Sequence, residues 1–182
     1  MLKNGVEMRY LLIMAITTTL LFAGCDKKAS DDGKQLPAYQ ASASTGSAAP
    51  EFKLETTEGK TLKLSDYKGK VVIVDFWATW CPPCRRGIPD LIEIQKEYGS
   101  AVAVIGISVD QDTKNDVVPF MQKMGINYPV VYGDAQTAQA YGGIESIPTS
   151  FVIDQKGDIA ANNVGLVSKS DLTQTIDKLL HK

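Results

Sequence analysis

Histidine is nearly missing from this sequence: His181, one residue from the end, is the single copy in 182 residues. Cysteine is almost as scarce, with Cys25, Cys81 and Cys84. A structural zinc site takes about four nitrogen or sulfur ligands, so two close cysteines and one remote histidine do not supply it. A surplus of positive charge is also absent. Lys and Arg number 19 against 21 Asp and Glu, a formal net charge of -2, which excludes the basic footprint of a nucleic-acid binder. The uncharged, mostly apolar run Tyr10–Ala23 has 14 residues, whereas a membrane-spanning helix takes about 20. Internal repeats are lacking too. What remains is an ordinary globular composition, 44% hydrophobic and 22% charged.

The chain is organised around Asp75-Phe76-Trp77-Ala78-Thr79-Trp80-Cys81-Pro82-Pro83-Cys84. The β-branched run Val71–Val74 that feeds it reads as a buried strand of a parallel sheet. A helical pattern follows from near Arg85. The two cysteines therefore fall where a strand turns into a helix. First-turn N–H groups are unpaired there and the helix dipole is positive, so a thiolate is stabilised. The thiolate is the species that attacks disulfides. With the spacing C-x-x-C one sulfur can attack while the other resolves, which implies thiol–disulfide exchange. A structural disulfide is the rival reading, but so short a loop removes little chain entropy.

Lys3 and Arg9 precede the Tyr10–Ala23 run, which ends in small residues; this is the pattern of a secretory signal. Asp26–Ala49 holds Ser, Ala, Gly, Lys and Asp with almost no large apolar residue, and reads as a tether. The expected division is a signal peptide over 1–24, a tether over 25–49 and one domain over 50–182. Within the domain, Phe52, Leu54, Leu62 and Leu64 alternate around Glu58-Gly59-Lys60 and predict a β-hairpin. Ile88, Leu91, Ile92, Gln95 and Tyr98 predict a helix ended by Gly99, with Pro89 as a kink. Ala101–Val109 predicts a second buried strand. Val117, Phe120, Met121 and Met124 predict a helix stopped by Gly125; Tyr128–Tyr132 predicts a short strand, and Ala135–Tyr141 a short helix. Ser150–Asp154 and Ile159–Val164 predict a hairpin. Ser168 with Asp171 opens a last helix carrying Leu172, Ile176, Leu179 and Leu180. The order indicates a layered α/β sheet.

Two resemblances rest on these residues. Leu21-Phe22-Ala23-Gly24-Cys25 resembles the lipobox of bacterial lipoproteins, with Phe22 where Leu is usual; this implies an acylated Cys25. A plain signal peptide or an uncleaved anchor, with Cys25 an idle thiol, is the alternative. Val74-Asp75-Phe76-Trp77-Ala78, Trp80-Cys81-Pro82-Pro83-Cys84 and Ile147-Pro148-Thr149 resemble the thioredoxin superfamily. The Ala49-Pro50-Glu51-Phe52 start, the hairpin and the long stretch before Pro148 are similar to its exported TlpA/ResA-like branch. That branch implies a thioredoxin-like mixed sheet flanked by helices, with an inserted helix and strand.

The resemblance further implies that Cys81 is an exposed nucleophile and that Cys84, one turn in, is more buried and resolves the mixed disulfide. Asp75 would be the buried carboxyl that relays the Cys84 proton; many members of the branch have Asn there. Pro148 would form a cis peptide facing the disulfide. Trp80, Pro82, Pro83, Ile147 and Pro148 would contact substrate, and Trp77 would pack. Arg85 and Arg86 either assist the thiolate or form a solvated face. Pro82 and Pro83 lack N–H groups, which leaves the Cys84 amide to support the Cys81 thiolate and favours a reducing couple. Gly87 stands where haem-maturation members carry Glu, so a role in cytochrome c maturation that needs that acid is not implied. The expected protein is a reductase of exported protein disulfides, lipid-anchored on the outer face of the cytoplasmic membrane. It would be fed by a membrane thiol-reductant carrier and have no metal or organic cofactor. A disulfide-donating oxidase or isomerase, a copper metallochaperone and a peroxidase are the alternatives.

Overall fold

The computed structural model describes residues 44–181. Cys25, the signal segment and most of the tether lie outside the described residues. Val71–Trp77 forms β3, at the centre of a five-stranded sheet ordered β5-β4-β3-β6-β7. β4 (Val102–Ser108) and β5 (Val130–Tyr132) continue in parallel on one side. β6 (Thr149–Ile153) and β7 (Ile159–Val164) run antiparallel on the other. β1 (Lys53–Glu55) and β2 (Thr61–Lys63) form the predicted hairpin, with Leu54 opposite Leu62.

Alternation along β3 divides the core in two. Val71, Ile73 and Trp77 face Ile88, Leu91 and Ile94 of α1 (Pro82–Tyr98) and Leu172, Ile176 and Leu179 of α4 (Lys169–Leu180). Val72, Val74 and Phe76 face the hairpin residues Phe52, Leu54, Leu62 and Leu64, together with Tyr141 and Phe151. Both faces of β3 are buried, which is why its sequence is apolar at every position but Asp75 rather than alternating. The inserted pair is α2 (Val117–Met124) and β5, and β5 widens the sheet at its β4 edge. The short helix α3 (Ala135–Ala140) leads on towards β6.

Two boundaries differ from the sequence reading by more than two residues. α1 begins at Pro82 rather than near Arg85, because prolines are tolerated where a helix's first N–H groups have no partner anyway. It runs on through Pro89 and ends at Gly99, whose positive φ closes it. The domain also starts before Pro50. Gly46 and Ala49 donate backbone hydrogen bonds to Ile159 and Gly157, Ile159 donates to Ser47, and Ala48 bridges Asp158. Small residues lie along a strand edge chiefly through backbone bonds, with Ala49 also packed against the core, an attachment that large apolar residues do not signal. Among the described residues no helix is long and apolar enough to cross a membrane.

Candidate active site

The end of β3 delivers the site. Cys81 caps α1, and its sulfur accepts a hydrogen bond from the Cys84 amide at 3.2 Å. With Pro82 and Pro83 at the first two helical positions, that amide is the first one the helix can offer. Cys81 and Cys84 are disulfide-bonded, their Cα atoms 5.3 Å apart. The Ile147–Pro148 peptide is cis, and the Ile147 carbonyl oxygen lies 3.6 Å from the Cys81 sulfur. This is a contact rather than a hydrogen bond, since a bridged sulfur carries no proton. The loop is held by Thr149, whose hydroxyl donates to the Ser146 carbonyl, and by Gly165, whose amide donates to the Pro148 carbonyl at 2.8 Å.

The expected exposure of Cys81 is not found. Cys81 is 3% exposed and Cys84 2%, so the two are almost equally hidden in the oxidised state. The loop carrying Ile147 and Pro148 covers the sulfur, and the exposure falls to the neighbouring Trp80, at 59%. Pro82 is exposed beside it, and Pro83 and Ile147 are half-buried. Trp77 is fully buried and packs its ring 5.5 Å from that of Phe120. Arg85 lays its guanidinium over the same Phe120 ring, 5.5 Å from its centroid, and Arg86 is exposed.

Asp75 is 6% exposed, on the sheet face turned towards the helices. It shares a small cavity of about 20 Å³ with Cys84, Gly87, Leu91, Pro148 and Leu172. Burial drives its pKa up from 3.8 to about 8, with no charged partner to offset it. Its register partners are Gly106 in β4 and Ser150 in β6. Glycine is required at 106: a Cβ there would meet the Trp77 indole nitrogen at 2.8 Å and the Tyr128 ring at 3.3 Å. Among the described residues, the Trp77 indole nitrogen, the Tyr128 hydroxyl and the Ser150 hydroxyl are buried without a hydrogen-bond partner. The Tyr128 phenol is held well above its ordinary range, first by burial and second by Asp75.

One element of the site was not found from the sequence. Asp110 is buried, and its carboxylate accepts from the Thr79 amide at 3.0 Å, the Thr79 hydroxyl at 2.6 Å and the Ser108 hydroxyl at 2.9 Å, as well as from the Thr113 hydroxyl. It thereby fixes the residue two before Cys81. A carboxylate at the end of an apolar run, with Ser108 before it and Thr113 after it, was the available signal. Asp110→Ala leaves these donors unpaired, and a loss of about 2–4 kcal/mol of unfolding free energy is expected from urea denaturation. No three His, Cys, Asp or Glu side chains come together to hold a metal among the described residues.

Comparison with known proteins agrees with this geometry. The family model described as the AhpC/TSA family matches residues 45–162. The thioredoxin-like protein YneN of Bacillus subtilis (strain 168) is 35% identical over 134 residues, 72% of this chain and 78% of its own. The thiol-disulfide oxidoreductase ResA of the same organism is 39% identical over 131 residues, 71% of this chain and 72% of its own. The crystal structure of a thiol:disulfide interchange protein of the thioredoxin family from Chlorobium tepidum TLS superposes with a TM-score of 0.68 at 38% identity. It covers 77% of this chain and 99% of its own. By sequence and by fold, the chain belongs to the AhpC/TSA family within the thioredoxin superfamily, in its TlpA/ResA-like branch, and is a thiol-disulfide oxidoreductase.

Proposed function

We propose that the protein works outside the cytoplasm as a reductant of protein disulfides, anchored through an acylated Cys25 to the outer face of the cytoplasmic membrane. The observation that carries the chemistry is the cavity that Cys84 shares with buried Asp75. The Cys81 thiolate attacks one sulfur of a client disulfide, forms the mixed disulfide and expels the client's other sulfur as a thiolate. Cys84 then gives its proton to the Asp75 carboxylate, and its thiolate attacks the Cys81 sulfur. The Cys81–Cys84 disulfide closes, the second client sulfur leaves, and two electrons have passed to the client. Disulfide-containing exported proteins are the clients. A membrane thiol-reductant carrier returns the electrons by the reverse sequence.

Trp80 and Pro82 are the exposed side chains flanking Cys81, and with Pro83, Ile147 and Pro148 they form the surface on which a client segment lies. The Ile147 carbonyl, 3.6 Å from the sulfur, is an acceptor that an extended client backbone can use. Only the Cys84 amide reaches the Cys81 sulfur from the first helical turn. A sparsely supported thiolate makes the reduced form less favoured, so the couple is reducing.

The reduction potential tests the direction. Equilibrated against glutathione or dithiothreitol, the pair is expected near the thioredoxin value of about -270 mV. A potential near the about -120 mV of a strong oxidant would make the protein a disulfide donor instead. Labelling of Cys25 with a radioactive fatty acid in bacterial cells, lost in Cys25→Ser, is the expected sign of the anchor; an unlabelled chain would refute it.

A further inference from the structure

Leu166 stands over the cavity that Asp75 and Cys84 share. It follows Gly165, whose amide is bonded to the Pro148 carbonyl, so the loop after β7 is fastened to the loop that faces the disulfide. The Leu166 side chain lines the cavity yet the residue is 48% exposed; one side of it meets solvent and the other Asp75's surroundings. Beneath it lies Gly87 of α1. A Cβ on residue 87 would come within 2.9 Å of Leu166 Cδ1, closer than side chains tolerate, so glycine at 87 is what lets the leucine lie down across the helix. With Leu91, Val167 and Leu172 completing the walls, the space of about 20 Å³ has room for about one water molecule.

We propose that Leu166 is a positioning residue for the proton transfer at Asp75: lying across Gly87, it covers one side of the Asp75–Cys84 cavity and restricts the access of bulk water to the carboxyl. The inference rests on the reading of Asp75 as the acceptor of the Cys84 proton. A carboxylate formed on a residue as buried as Asp75 is poorly solvated and therefore a strong base. Opened to water, the same carboxylate is solvated and becomes a weaker one.

Other groups facing Asp75 do not replace this effect. Cys84 comes from α1, Ser150 from β6, Leu172 from α4 and Pro148 from its loop. Tyr128, ahead of β5, feels the Asp75 charge. Cys84 and Tyr128 are the titratable members of this set, and Cys84 does not titrate while it is bridged. No charged side chain other than Asp75 lines the cavity. Solvent access through Leu166 is thus the lever on its basicity.

The test uses the full oxidised chain labelled with ¹³C at the aspartate carboxyls, with Asp75→Asn identifying the Asp75 signal. In the parent protein the signal is expected to titrate near 8. In Leu166→Ala the midpoint falls by about one unit or more. Gly87→Ala, which displaces the leucine without shortening it, moves the midpoint in the same direction, and Leu166→Met leaves it within about 0.3 units of the parent. An unmoved midpoint in Leu166→Ala, or a fall of equal size in Leu166→Met, overturns the proposal. The readout needs no turnover. If mixed-disulfide release proves independent of pH while these shifts occur, the role of Asp75 as proton acceptor fails and the restriction of water stands.

Discussion

Asp75→Asn is expected to stabilise the oxidised protein and to slow it as a catalyst, and both effects come from the same buried carboxyl. In the folded state its pKa is about 8, against 3.8 for an ordinary aspartate. Between those values the unfolded chain has released the proton and the folded chain still holds it. Stability therefore falls as pH rises from about 4 to about 8 and is flat outside that window. At pH 7 the native aspartate costs on the order of 4 kcal/mol relative to a group that does not ionise. Urea denaturation at pH 5, 7 and 9 is expected to show Asn above Asp by a margin that widens between the first two. A margin independent of pH would mean that Asp75 does not carry this burden. On the role proposed for Asp75, the same substitution removes the acceptor for the Cys84 proton, and release of the mixed disulfide is expected to slow roughly 10²-fold at neutral pH. In the reduced protein Cys84 and Asp75 titrate as a coupled pair, so the rate profile reports values belonging to both.

Cys84→Ser is expected to abolish turnover, by about 10³-fold or more, while leaving the first attack intact. Cys81 then stays joined to its client, and the adduct is visible as a band of raised mass on non-reducing gels that dithiothreitol removes. Cys81→Ser is expected to give no adduct. The reverse pattern, with adducts through Cys84, would exchange the roles of the two cysteines. The burial of Cys81 sharpens the expectation. In the oxidised state the residue is 3% exposed, next to the exposed Trp80 and against the Ile147 carbonyl. A folded client with a recessed disulfide should therefore be trapped far less than an extended peptide carrying the same bond.

Much of the architecture was legible because it is encoded locally. The double-sided burial of β3 is written in its unbroken β-branched run, and the end of α1 in Gly99. The Ser168 cap with Asp171 marks the start of α4, and the Ser168 hydroxyl does accept from the Asp171 amide. α1 starts three residues before the helical pattern near Arg85, because Pro82 and Pro83 are first-turn residues that carry no part of that pattern. The start of the domain was misplaced because Gly46–Ala49 attaches chiefly by backbone bonds, which composition does not record.

The sequence by itself determined that two cysteines lie between a buried strand and a helix, one turn apart, and that Pro82 and Pro83 leave one amide to support the first. These are relations within a dozen residues, and local sterics and hydrogen bonding decide them. Only the tertiary structure decided what surrounds the cysteines. Asp110 reaches Thr79 across 31 residues of sequence, and Leu166 lies down on Gly87 from the far end of β7. The Ile147 carbonyl covers the Cys81 sulfur from a sequence distance of 66. Such contacts depend on strand order and register, which the packing of the whole core selects. So the kind of reaction was carried by the motif, and the burial of its sulfur and of the Asp75 carboxyl was set by residues the motif does not contain.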